Sequence, residues 1–240
     1  MTDTAAAPIR VAIYDLDRTV LRKPTFTLFL LWAAWKSARW RLLLLPALAA
    51  LMIGYALRLY GRDRFKPAAI RLMLGPHLSP ARATDLAARF AAWRVARDVP
   101  PGAEACIARD RAEGYRLLMA TAAPEFYAGA IAEALGFDAI VATRHRRDAD
   151  GNWLPQLDGE NCYGLEKARR VTEWLSTHAV GGAAHIRAYS DHLSDAPTFA
   201  LASESWLVGR GDKFVRLATR HGWRAADFED VAAGAVVEAR

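Results

Sequence analysis

Cysteine is nearly absent: the 240 residues contain two, Cys106 and Cys162, and no CxxC pair. That excludes a disulfide framework and fits a reducing compartment. The chain has no polar low-complexity tract and no internal repeat, so a long disordered region is not expected. Met1 to Arg10 carries Asp3 and lacks the apolar run of a secretory signal peptide. The expected location is the cytosol, peripheral on the cytoplasmic face of a membrane. Acidic residues are scarce in one segment. Between Lys36 and Arg97 two acids, Asp63 and Asp85, stand against twelve Lys and Arg, a local charge of +10 in a chain that sums to +6. The remainder is therefore acidic. All the excess positive charge lies in the most apolar segment, which favours an anionic membrane surface over a nucleic-acid groove as its partner.

What is present suffices for one principal domain: 53% of the residues are hydrophobic, enough for one sizeable core and a smaller insertion. Ile9 to Tyr14 (IRVAIY) reads as a buried parallel strand ending at an acidic turn. From Thr25 to about Arg97 the spacing is helical, with breaks expected at Pro46, Gly61, Pro67, Gly75-Pro76 and Pro80. Beyond Pro100-Pro101-Gly102 helices and strands alternate. Helices are expected at Ala103 to Glu113, Glu125 to Leu135, Gly164 to Thr177 and Ala196 to Ala202. Strands are expected at Tyr115 to Ala120, Ala139 to Ala142, Ala184 to Tyr189 and, last, Ser205 to Val208. Asp148 to Asp158 reads as a hairpin-like turn, and the tail from Lys213 begins as a helix. The predicted fold is α/β, a Rossmann-like three-layer core with a parallel sheet and an all-helical insertion. Residues 1–22 and 100–225 would form the core, 23–99 the cap and 226–240 a tail.

Open α/β sheets place their sites beyond the carboxyl ends of the strands. Asp15-Leu16-Asp17-Arg18-Thr19 follows the first strand there, Thr121 the second, and Ser190-Asp191-His192-Leu193-Ser194-Asp195 a later one. Lys167 sits early in the helix before that strand. Phosphoryl transfer needs such a set, because a phosphate dianion repels an attacking carboxylate unless cations neutralise both. Asp15 and Asp191, with the backbone carbonyl of Asp17, offer hard oxygen ligands for Mg²⁺. Asp15 would attack phosphorus. Asp17 would protonate the leaving alkoxide and later deprotonate water. Thr121 and Lys167 would hold the transferring oxygens, supported by Asp195, Thr19 and Ser190. Taken singly, these aspartates would be turn residues, Thr121 a helix cap and Lys167 a solvated lysine.

Over essentially its whole length the chain resembles the haloacid dehalogenase superfamily of phosphatases, subfamily IB. Asp15 to Thr19 fits the DxDxT motif, Thr121 the second-motif hydroxyl, Gly164 to Lys167 the GxxK motif, and Tyr189 to Asp195 the YSDSxxD motif. The resemblance implies a C1-type cap and the same site roles. His192 departs from the pattern, standing where the family often has Ser. Pro24 stands where the phosphoserine phosphatase branch carries a Glu for the substrate ammonium, which disfavours phosphoserine. The leucine-rich stretch after the first motif and Phe90-Ala91-Ala92-Trp93 resemble the phosphatidylglycerophosphatase C branch, which implies a lipid phosphate as substrate.

Leu42 to Leu57 is an uncharged run of 16 residues, about 24 Å as a helix against a hydrocarbon core of roughly 30 Å. The two halves of the site must also meet on one side of a bilayer. The expectation is therefore a cap that lies in the interface or dips in as a hairpin. Two rivals remain: a soluble small-molecule phosphatase whose apolar cap is a dimer surface, and a non-catalytic membrane adaptor on the same fold. Intact Asp15, Asp17, Lys167 and Asp191 speak against the adaptor.

Overall fold

The computed structural model describes residues 9–178 and 183–229. Residues 1–8 of the segment read for a signal sequence and most of the expected tail lie outside them. Six strands form one parallel sheet: β1 (Ile9–Tyr14), β2 (Tyr115–Pro124), β3 (Ala139–Thr143), β6 (Ala183–Ser190), β7 (Glu204–Val208) and β8 (Arg224–Ala226), in the order β3-β2-β1-β6-β7-β8. The antiparallel pair β4 (His145–Arg147) and β5 (Trp153–Leu157) is separate. Its turn is closed by Asp148, whose carboxylate accepts from the amides of Asp150 and Asn152.

Strand alternation divides the core into two layers. Ala12, Tyr14, Leu117 and Met119 face one cluster with α5 (Pro101–Ala112) and α6 (Glu125–Ala134). Val11, Ile13, Leu118 and Ala120 face another with α7 (Leu165–His178), α8 (Ala196–Phe199) and α9 (Asp212–Arg220). The three-layer α/β fold predicted from the sequence is thus what forms. β8 was not foreseen, and Ser205 to Val208 is not the last strand: three residues pairing along β7 are too short to leave a period. Phe228 is buried beside Tyr189, and its carbonyl accepts from Gly102 N. The packed region therefore extends past the expected start of the tail at residue 226.

The insertion comprises α1 (Phe26–Ser37), a 3-10 turn Arg39–Leu44, α2 (Leu45–Ala56), α3 (Arg62–Leu74) and α4 (Pro80–Asp98). Pro46 and Pro80 lie in first turns, where a missing N–H costs nothing. Pro67 does not break its helix. It lies inside α3, whose apolar face of Phe65, Ala69, Ile70 and Met73 is buried, and packing outweighs the one lost hydrogen bond. Both connections to the core meet at Asp98: its carbonyl accepts from Arg22 N and its carboxylate from Lys23 N. Phe29 and Phe90 of the insertion pack on Tyr127 of α6, so one apolar cluster runs through cap and core.

The outer side of the cap is different. Arg39–Ala56 is a single helical stretch long and apolar enough, by length and composition, to cross a membrane, and almost none of it is buried. Leu43 is 81% exposed, Leu57 66% and Leu59 71%, with Trp40, Ile53 and Met52 exposed nearby.

Candidate active site

β1 lies at the centre of the sheet between β2 and β6, so the loops leaving these three strands at their carboxyl ends converge. Asp15 N donates to Tyr189 O at 2.9 Å, which continues the ladder one residue beyond β1 and fixes the first carboxylate. Arg18 adopts φ 63°, a left-handed conformation uncommon for a residue other than glycine and concentrated at functional turns. The chain then folds back, with Leu21 N donating to Leu16 O at 2.9 Å. Thr19, buried in this turn, accepts from Asp191 N at 3.0 Å and so joins the first loop to the loop after β6.

α7 brings the ammonium. Gly164, just before it, has φ +59° with nothing closer than 3.7 Å to where a Cβ would stand, so the backbone angle rather than space requires glycine. Lys167 is 3% exposed, and its Nζ donates to Asp15 Oδ1 and to Asp195 Oδ2, each at 2.8 Å. Ser190 Oγ donates to the same Asp195 oxygen at 2.6 Å. Thr121 Oγ1 accepts from Ala123 N at 3.0 Å, which leaves its hydroxyl hydrogen to donate. Asp17 Oδ1 accepts from Thr25 N at 2.9 Å.

These residues line one cavity of about 410 Å³, shared by Asp15, Asp17, Thr121, Lys167, Asp191 and Asp195. Thr19 and Ser190 stand behind it as bonded supports. All the site residues expected from the sequence are thus brought together. His192 lines the cavity and closes the 3-10 turn Leu193–Asp195, its Nδ1 accepting from Ser194 N at 3.0 Å. Pro24 also lines it. The cap adds Phe26, Tyr55, Arg62, Phe65 and Lys66, which the sequence reading did not assign. The signal for Lys66 was present: it is a cation on the otherwise apolar face of α3.

Four carboxylates and one paired lysine leave the floor of the cavity electrostatically unfinished. Burial raises Asp15, against the pull of Lys167, and raises Asp17, against the hydrogen bond from Thr25. It pushes Asp191 up to about 6. Burial alone would lower Lys167, but the charges of Asp15 and Asp195 outweigh it and hold it above the ordinary lysine value. Asp195 Oδ1 is buried without a partner. Among the described residues no three His, Cys, Asp or Glu side chains form a ready-made cage. A hard divalent cation that takes one or two carboxylates, a carbonyl and waters fits this donor set. Such an ion would restore the two carboxylates that hold it, Asp15 and Asp191, to their charged forms.

A model of haloacid dehalogenase-like hydrolases matches residues 12–200. Protein CicA of Caulobacter vibrioides is 33% identical over 208 residues, which cover 85% of this chain and 88% of that protein. Among solved structures, a Bordetella pertussis protein of unknown function superposes with a TM-score of 0.76 at 21% identity, over 92% of this chain and all of that one. A phosphoserine phosphatase carrying a phospho-aspartyl intermediate analogue gives a TM-score of 0.60 at 15% identity, over 93% and 94%. At such identities these structures share the fold. With the family match spanning most of its length, the chain belongs to the haloacid dehalogenase-like hydrolases.

Proposed function

We propose that the protein is a Mg²⁺-dependent phosphomonoesterase acting through an aspartyl-phosphate, on a membrane lipid phosphate such as phosphatidylglycerophosphate. The observation that carries the reading is the buried Lys167 bridging Asp15 and Asp195 on the floor of the cavity. Asp15 Oδ1 is held by Lys167, so Oδ2 is the oxygen that attacks phosphorus. The bond from phosphorus to the ester oxygen breaks, and Asp17 gives that oxygen its proton. Burial keeps a proton on Asp17 to higher pH than usual, as a general acid needs. In the second step Asp17 takes a proton from water, the water oxygen attacks phosphorus, and Asp15 leaves as a free carboxylate. Thr121 and Lys167 donate to the phosphoryl oxygens throughout. The ion, held by Asp15, Asp191 and the carbonyl of Asp17, would supply charge neutralisation as a Lewis acid.

The lipid part of the reading rests on the cap. α2 contributes Tyr55 to the cavity and presents Met52 and Ile53 to solvent. An exposed apolar face flanked by Arg39, Arg41, Arg58 and Arg64 suits the headgroup region of an anionic bilayer. It would bring a headgroup phosphate to Asp15 while the acyl chains stay in the membrane. Pro24 lines the cavity and offers no side-chain carboxylate to a substrate ammonium, which weighs against phosphoserine.

Phosphate release with Mg²⁺ tests this. Phosphatidylglycerophosphate in mixed micelles would be compared with phosphoserine, phosphocholine and an aryl phosphate, with Asp15→Asn as control. The lipid is expected to win, and flotation with anionic liposomes to carry the protein. Preference for soluble esters together with failure to float would reassign the cap as a soluble lid. Absence of any turnover that depends on Asp15 would favour the adaptor.

A further inference from the structure

Lys66 is a second buried lysine at the cavity, and its surroundings differ from those of Lys167. It is 6% exposed. Its ammonium donates to the backbone carbonyl of Ala122 and to Oδ1 of Asn161, both uncharged acceptors. Thr143 Oγ1 donates to Ala122 O at 2.7 Å, and Asn161 N to Asp63 at 3.3 Å, so the two acceptors are fixed by the core and the cap together. Among the described residues no carboxylate forms an ion pair with Lys66, whereas Lys167 has two. Arg62, one turn earlier on α3, lines the same cavity and adds charge of the same sign. Burial, helped by the like charge of Arg62, brings Lys66 down to about 8 against the opposite influence of Asp17, Cys162 and Asp63. An ammonium has three donors; here two are committed. A buried charge with neutral partners alone is costly, and a bound anion relieves it.

The position of Lys66 indicates which anion. Thr121, Lys167 and Asp15 surround the transferring phosphoryl, and Lys167 is already paired there. Lys66 comes from the cap and lines the cavity together with Asp17, the residue that protonates the leaving oxygen. We propose that Lys66 is a specificity-determining residue that receives a second anionic group, a carboxylate or phosphodiester, carried on the leaving group a few bonds from the ester oxygen. The inference rests on the phosphatase reading of this cavity and narrows its substrates to esters with two anionic groups.

The test uses binding to the full-length protein with Mg²⁺, read by titration calorimetry with phosphonates, which have no phosphate monoester to hydrolyse. The probes are propylphosphonate, phosphonopropionate, in which a carboxylate replaces the terminal methyl, and an alkylphosphonate bearing a methyl phosphodiester. At least one dianionic-type probe is expected to bind about ten- to a hundredfold more tightly than propylphosphonate, the worth of one charge-assisted hydrogen bond. Which of the two gains identifies the anion. Lys66→Met should erase that preference and Lys66→Arg keep part of it. A preference that survives Lys66→Met, its absence in the parent, or an equal weakening of all three probes by Lys66→Met would overturn the proposal. The last result would make Lys66 a tie between cap and core. Lys66→Gln, checked by its melting curve, serves if the Met variant does not fold. Failure of the unsubstituted protein to bind any phosphonate would instead sink the phosphatase reading.

Discussion

On the floor of the cavity Lys167 lies between Asp15 and Asp195, with Ser190 and Thr19 bonded behind them. On the roof Lys66 and Arg62 meet carbonyl, amide and aromatic partners, and Arg62 lies 3.5 Å over the ring of Tyr163. The floor sets one paired lysine among four carboxylates, an excess of negative charge that a divalent cation would balance. Among the described residues the roof's positive charge has no ion-paired carboxylate, and the roof continues outward into an apolar face in water. On the proposed reading, the sheet holds the groups for phosphoryl transfer and the inserted helices hold those that meet the rest of the substrate.

The largest effect should come from the nucleophile. Asp15→Asn keeps the shape of the floor but removes the attacking charge, and turnover in phosphate-release assays is expected to fall at least about a thousandfold, as for other nucleophile knock-outs. Melting should hardly suffer, because the substitution also removes one carboxylate from a crowded, buried set. A variant that keeps turnover would place the chemistry elsewhere in the cavity.

Removing either lysine tests the contrast directly. Lys167→Met strands two carboxylates, and breaking a buried pair in this way costs roughly 3–5 kcal/mol. Lys66→Met strands neutral acceptors, at roughly 1–3 kcal/mol. Urea denaturation of the two variants should rank them in that order. Equal losses would mean that the roof is as tightly paired as the floor.

The outer face of the cap is expected to matter for partition and not for folding. Replacing Leu43, Ile53 and Leu57 by Ser changes side chains already in water, 81%, 60% and 66% exposed. The melting temperature should stay within a few degrees. If these groups enter the bilayer, each is worth roughly 1.5–3 kcal/mol when fully buried, and binding to anionic vesicles should fall at least about a hundredfold. A large drop in stability instead would identify the face as a protein interface.

The floor was legible in the sequence because short strands followed by polar turns are local signals. Asp15 and Asp191 could be placed at strand ends before any contact was known, and Lys167 at the start of a helix; Thr121, expected just after its strand, lies instead within β2, which runs on to Pro124 through a break in its register with β3. The roof was not legible in the same way. Lys66 depends on Asn161, 95 positions away, and on Ala122, 56 positions away, and no local pattern encodes such pairs. Pro67 illustrates the converse error. Its local preference for breaking a helix is overridden by tertiary packing of the α3 face. β8, three residues long, is stabilised by its neighbour β7 rather than by its own composition.

The smallest expected effect concerns the unfinished charge of the floor. Asp191 is raised from 3.8 to about 6 by burial, against His192 and Arg18, which lower it. Without a divalent ion the folded protein therefore holds this proton where the unfolded chain has lost it. The contribution is fully present below about 3.8 and is lost as pH rises through about 6. A cation bound by the charged carboxylates reverses the sense, since it competes with protons for Asp15 and Asp191. Mg²⁺ should therefore raise the melting temperature more at pH 7.5 than at pH 5, by a few degrees. Asp191→Asn should remove most of that difference and leave Lys167, Asp15 and Asp195 paired. An Mg²⁺ effect that is independent of pH, or that survives Asp191→Asn unchanged, would locate the ion away from the carboxylates of the floor.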